Sequence, residues 1–247
     1  MPSTSDHLFL ERCEASFRQV GAGMARAPLR EVSLLEVERF DPIRRPRPYR
    51  GQRHLPGVYW FASTASHLPY ESLLELSALV RLDFDPDVEA ASAQPFWLHL
   101  PALKGRSVDH APDFFAALGD GRGRLIDVSL RSELSKPRRA RAFELTRRAC
   151  RALGWEYEVM TEPDPTVITN LRALAGFRRQ PAQFFEFAAA LIERVGSGAT
   201  IGELSGAVGP PGRVRPVLFH LIWRGQLAID LARPLRETTV VISTGGG

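Results

Sequence analysis

Three acidic residues, Glu75, Asp113 and Asp127, stand in settings from which they can share one hard cation. Glu75 lies in Tyr70-Glu71-Ser72-Leu73-Leu74-Glu75. Asp113 follows a proline in His110-Ala111-Pro112-Asp113-Phe114, and Asp127 falls inside the apolar run Leu125-Ile126-Asp127-Val128. Mg2+ takes oxygen ligands, and one or two carboxylates completed by water and a substrate phosphate suffice; Mn2+ can substitute. Such a site polarises a phosphodiester and generates hydroxide at neutral pH. Each position also has a plainer reading. Glu75 fits the solvent edge of an amphipathic helix, and Asp113 fits a simple strand start. Asp127 is harder to dismiss, because a carboxylate in an apolar run is costly unless paired, hydrogen-bonded or metal-bound.

The elements that must position these residues form an α/β pattern. Val58-Tyr59-Trp60-Phe61 reads as a strand. Leucines at 73, 74, 76, 79 and 82 predict a helix over 71–82. Residues 87–100 read as a strand broken at Pro95. Residues 113–118 and 124–130 flank Gly119-Asp120-Gly121-Arg122, a hairpin signal. A basic amphipathic helix is expected over 138–153, stopped by Gly154, followed by a strand over 155–160. That order suggests a central mixed sheet flanked by helices.

Residues 1–55 read as an N-terminal extension, with a short helix over 8–24 and a strand over 32–40. Within it, residues 41–53 hold five arginines and three prolines. Proline keeps the backbone extended, and arginine forks suit phosphate oxygens. Arg44, Arg45, Arg47, Arg50 and Arg53 are therefore either a DNA-binding arm or a solvated linker. Residues 56–178 hold the α/β pattern, and proline with arginine near 178–181 marks the next boundary. Residues 179–247 predict helices over 184–195, 201–208 (with Thr200 as N-cap) and 213–224. Two strands, over 226–231 and 238–242, then make a winged-helix module.

Composition sets outer limits. The 247 residues are 44% hydrophobic and 24% charged, with a net charge of +4 carried mostly by arginine. This is an ordinary globular balance with a mild basic bias that permits nucleic-acid binding. Cys13 and Cys150 have no metal-ligand spacing, so a reducing cytoplasm is the default. The N-terminus lacks the pattern of a secretory signal, and no apolar run approaches a membrane span.

Ser72-Leu73-Leu74-Glu75, Pro112-Asp113-Phe114 and Asp127-Val128-Ser129 resemble the three motifs of the PD-(D/E)xK nuclease superfamily. Within it, the chain resembles the TnsA-like endonuclease subunits of heteromeric bacterial transposases. The runs Arg50-Gly51-Gln52-Arg53-His54-Leu55-Pro56-Gly57, Leu82-Asp83-Phe84-Asp85-Pro86-Asp87-Val88 and Gln94-Pro95-Phe96-Trp97 add to that likeness, as does the winged-helix tail. The resemblance implies a restriction-endonuclease-like core and cleavage on the 5′ side of transposon ends. It also implies partnership with a DDE-type transposase subunit and an AAA+ regulator, in a bacterial cytoplasm and on DNA. By position, Asp113 is implied as the central ligand, Asp127 as the second strand carboxylate and Glu75 as the helix carboxylate that orients metal or water. Glu71, one turn earlier on the same helix face, is a runner-up or supporting partner; His110 and Gln94 would brace the ligands. The motif's lysine falls at position 129, where this chain has Ser129. That lysine would steer the attacking water or offset charge on the phosphorane. Lys136 or Arg131 can be imagined reaching in from the following segment. Three functions stay open: an endonuclease subunit, a catalytically degenerate DNA-binding adaptor, and a stand-alone restriction or repair nuclease.

Overall fold

The computed structural model describes residues 3–44, 55–101, 107–196 and 198–244. Arg45, Arg47, Arg50 and Arg53 of the arginine-rich arm lie outside the described residues. The fold is mixed α/β, and the chain divides into two units. One is Met1–Leu82 with Asp87–Glu162; the other is Asp83–Pro86 with Pro163–Gly247.

In chain order the first unit holds α1 (Thr4–Leu10), β1 (Glu14–Arg18), β2 (Met24–Pro28), α2 (Leu29–Val32), a 3-10 turn (Val37–Arg39), β3 (Gly57–Phe61) and β4 (Ser66–Tyr70). Then come α3 (Leu73–Phe84, which runs into the second unit), β5 (Val88–Ala93), β6 (Phe96–Leu100), β7 (Val108–His110), β8 (Phe114–Leu118), β9 (Gly123–Val128), α4 (Pro137–Leu153) and β10 (Glu156–Met160). The second unit holds α5 (Pro165–Ala175), α6 (Phe184–Val195), β11 (Ala199–Thr200), α7 (Ile201–Val208), α8 (Pro211–Trp223), β12 (Leu227–Ile229) and β13 (Val240–Ser243).

Two four-stranded sheets organise the first unit, in the orders β2-β1-β6-β7 and β10-β9-β8-β5. The first is antiparallel throughout. In the second, β8 pairs antiparallel with β5 and β9, while β10 runs parallel to β9. A parallel pair needs a crossover connection, and α4 provides it. Phe17, Phe96 and Leu98 from one sheet and Phe115 and Leu125 from the other meet Leu145, Ala149 and Cys150 of α4 in one hydrophobic core. The chain passes between the sheets at Gln94-Pro95, where Gln94 takes a left-handed φ of 47°. A tight loop joins β8 to β9, with Gly121 at φ 82°. Gly154, at φ 75°, caps α4 in the left-handed conformation that glycine adopts without strain.

The N-terminal segment differs from the sequence reading. Helix α1 ends at Leu10, and residues 14–18 alternate in burial, with Ala15 and Phe17 inward. That two-residue period makes a strand rather than a continued helix, and it builds residues 14–28 into a sheet. The strand expected over 32–40 is instead α2 and a 3-10 turn. Val32, Val37 and Phe40 are buried while Leu34 is 83% exposed, a spacing that does not alternate. Cys13 and Cys150 both lie in the core. Burial pushes the Cys13 thiol up to about 12 and the Cys150 thiol up as well.

In the second unit α5 precedes the proline and arginine break near 178–181, and β11 joins the two expected strands in the order β11-β13-β12. Helix α7 starts with Thr200, whose hydroxyl accepts from the Glu203 amide while the Glu203 carboxylate accepts from the Thr200 amide. The apolar side chains of α8, Val214, Val217, Leu218, Leu221, Ile222 and Trp223, are buried in their own unit. His220 is buried among them with Nδ1 2.8 Å from the Phe177 carbonyl. Burial holds its pKa below the ordinary histidine value of 6.5. The unfolded chain therefore takes up a proton that the folded unit resists, so stability falls as pH drops below about 6.5. Urea unfolding between pH 8 and pH 5 is expected to show that fall, and His220→Gln to flatten it; an equally steep fall in the variant counts against the assignment.

Candidate active site

The β8–β9 ladder brings the two aspartates together. Its register ends with Phe114 opposite Ile126; Asp113 immediately precedes β8 and Asp127 is the next residue along β9. The Asp113 amide donates to the Ile126 carbonyl at 3.0 Å, and the Asp113 carboxylate accepts the Val128 amide at 2.6 Å. Burial, then the charges of Asp127 and Glu75, hold the Asp113 carboxyl well above the usual carboxylate range. Asp127 and Glu75 each lie within electrostatic reach of Asp113.

Asp127 is only 2% exposed. His110 Nε2 lies 2.8 and 2.9 Å from its two oxygens, and the Tyr157 hydroxyl donates to Oδ2 at 2.5 Å. The cost of its burial is thus met by hydrogen bonds. Burial and the Asp127 charge push the Tyr157 hydroxyl far above its ordinary pKa, so it stays a donor. Tyr157 comes from β10, where it pairs with Leu125 two residues before Asp127.

Glu75 holds the start of α3. Its amide donates to the Ser72 hydroxyl at 3.2 Å, and its carboxylate accepts from the Glu71 amide at 2.7 Å and the Ser72 hydroxyl at 3.1 Å. This capping arrangement aims the side chain back over the helix start. Its pKa is raised, chiefly by burial. Gln94 bridges the pieces. Its amide donates to the Asp113 carbonyl at 2.7 Å, its carbonyl accepts from Ile43, and its Nε2 donates to Glu71 at 2.8 Å. Gln94 Oε1 is buried without a hydrogen-bond partner among the described residues. Arg44 lies 3.6 Å from Glu71 and 5.9 Å over the Trp97 ring.

A cavity of about 500 Å³ opens on Asp113 and Asp127, walled by His110, Trp97 and Phe143 and rimmed by Arg44, Lys136 and Arg139. Ser129 is buried behind it, at 2% exposure. Its hydroxyl accepts from Arg139 at 2.7 Å and donates to the Leu130 carbonyl at 3.2 Å. Lys136 is paired with Glu133 at 2.7 Å. The Arg131 amide donates to Glu162, and its guanidinium lies 3.5 Å from Thr161. Neither of these two cations reaches Ser129; Arg139 does. Arg139 and Tyr157 went unnoticed in the sequence. The signal for Tyr157 was available, since a strand–helix–strand crossover brings β10 beside β9; Arg139 carried none beyond its place at the start of α4.

Among the described residues, no group of three or more His, Cys, Asp or Glu side chains is gathered closely enough to hold a metal ion alone. The donor chemistry nevertheless suits Mg2+, which binds through one or two carboxylates and completes its shell with water and phosphate. Asp113 and Asp127 supply the carboxylates, and crowded negative charge around Asp113 favours a cation. No helix among the described residues is long and apolar enough to cross a membrane. Comparison with protein-family models and with curated proteins finds no match for the chain in either.

Proposed function

We propose that this chain is a metal-dependent DNA endonuclease with a restriction-endonuclease-like core and a winged-helix second unit. We place it as the subunit of a heteromeric bacterial transposase that cuts the 5′ side of transposon ends. Its partners would be a DDE-type transposase subunit and an AAA+ regulator. The observation that carries the reading is that Asp113 and Asp127, half-buried and buried, line one arginine-rimmed cavity, with the Glu75 charge felt at Asp113.

Mg2+ bound between Asp113 and Asp127 would polarise the phosphoryl oxygens and lower the pKa of a coordinated water. The chain's own groups do the rest. His110 and Tyr157 fix the Asp127 carboxylate in one orientation. Gln94 fixes Glu71, and the Glu75 carboxylate, set by the α3 cap, orients the water. Arg44 and the basic rim attract the DNA backbone. The water oxygen bonds to phosphorus, and the opposite phosphorus–oxygen bond breaks with its electron pair on the departing sugar oxygen. The water's proton leaves to solvent, and the departing oxygen is protonated from solvent.

The test is nicking of transposon-end DNA in Mg2+ and in Mn2+, with and without the transposase subunit. Strand-specific cleavage dependent on the divalent ion supports the reading. Tight DNA binding with no cleavage under any of these conditions favours a DNA-binding adaptor, which the serine at position 129 recommends as a second reading. Under that reading, Ser129→Lys should gain nicking.

A further inference from the structure

The cation missing from position 129 has a substitute ten residues later in the chain. Ser129 stands two residues after Asp127, just past the end of β9, is buried, and has its hydroxyl fixed by donation to the Leu130 carbonyl. Arg139, in the first turn of α4, donates Nη1 to that hydroxyl at 2.7 Å. It lines the same cavity as Asp113 and Asp127. Among the described residues this is the one hydrogen bond its guanidinium makes. A guanidinium carries five N–H donors in a planar fork, so the donors that meet no described residue can reach two phosphate oxygens at once. Of the other basic side chains that line the cavity, Arg138 makes no hydrogen bond to Ser129, and two are committed elsewhere. Lys136 is paired with Glu133, and Arg44 is drawn to Glu71 and lies over Trp97.

We propose that Arg139, anchored by Ser129, is the catalytic cation that faces the scissile phosphate. The inference rests on the nuclease reading of the same site. Arginine keeps its proton at any working pH, so its part is charge alone. It stabilises the negative charge that builds on the non-bridging oxygens as water adds and the sugar oxygen departs, and no proton passes through it. Ser129 acts as the positioning residue, setting where the fork points.

Nicking assays on transposon-end DNA, with the transposase subunit present, read the catalytic part. Arg139→Ala should slow nicking by about 10²-fold or more. Ser129→Ala should slow it less, and combining the two should cost little beyond Arg139→Ala alone, because both changes remove one interaction. Ser129→Lys in the Arg139→Ala background should recover at least about tenfold, since an ammonium placed there stands in for the lost fork. Full-speed nicking by Arg139→Ala while Asp113→Ala is inactive overturns the inference and leaves the nuclease reading intact. Full-speed nicking by Asp113→Ala as well overturns both. Independently of turnover, inorganic phosphate titrated without metal and followed by ³¹P line broadening should bind the unaltered protein and bind Arg139→Ala at least about tenfold more weakly. Equal broadening in the two proteins overturns the assignment whether or not nicking is seen.

Discussion

Asp113→Asn should lower the proposed metal-dependent nicking by about 10³-fold, roughly 4 kcal/mol of transition-state stabilisation, without weakening the fold. The amide keeps the shape of the carboxyl and can still accept the Val128 amide. What it lacks is the charge that crowds against Asp127 and Glu75. In chelator at pH 8 the variant should therefore melt higher than the unaltered protein, since the repulsion of Asp113 by Asp127 and Glu75 is gone. Added Mg2+ should raise the melting temperature of the unaltered protein, because a ligand that binds only the folded state stabilises it. The variant should stay where it was. Unchanged nicking would remove Asp113 from the site. A melting temperature that falls on substitution would show that the carboxylate is there for structure.

Phe96→Ala should cost the first unit about 3–5 kcal/mol, in the range for truncating a buried phenylalanine. Phe96 is fully buried, follows the Gln94-Pro95 passage between sheets, and lies 6.4 Å from the Trp155 ring in a stacked arrangement. It belongs to the core that both sheets and α4 share, so the void it leaves touches every layer. Urea unfolding should show a lower midpoint at unchanged slope. A loss below about 1 kcal/mol would mean that the sheets do not depend on this contact. The same change should slow nicking, because Gln94, two residues away, holds both the Asp113 carbonyl and Glu71.

Local pattern made much of this architecture readable. Periodic leucines marked α3, the Asp-Gly turn marked the β8–β9 hairpin, and Gly154 and Thr200 marked helix ends, because each signal is confined to a few neighbouring residues. The nearness of Asp113 to Asp127 followed from the hairpin. Features set by distant chain were not readable. The recruitment of residues 14–28 into a sheet with β6 depends on partners some eighty positions away. The left-handed turn at Gln94 is held by Ile43 and Asp113, and nothing in Gln94-Pro95 announces it. The sequence offered Glu75 as a candidate carboxylate and did not announce the capping hydrogen bonds it makes at the start of α3. The hydrogen bond of Tyr157 to Asp127 arises only once α4 has carried the chain across, which the strand–helix–strand order implies, whereas that of Arg139 to Ser129 has no sequence signal beyond its place at the start of α4.

Cys13 and Cys150 share one core, whereas the second unit contains no cysteine. Both thiols are sealed from reagents and held protonated, so neither should alkylate while that core is closed. The chain thus has an intrinsic clock for its first unit: maleimide capture in native buffer would time the excursions in which this interior is laid open, with no engineered label.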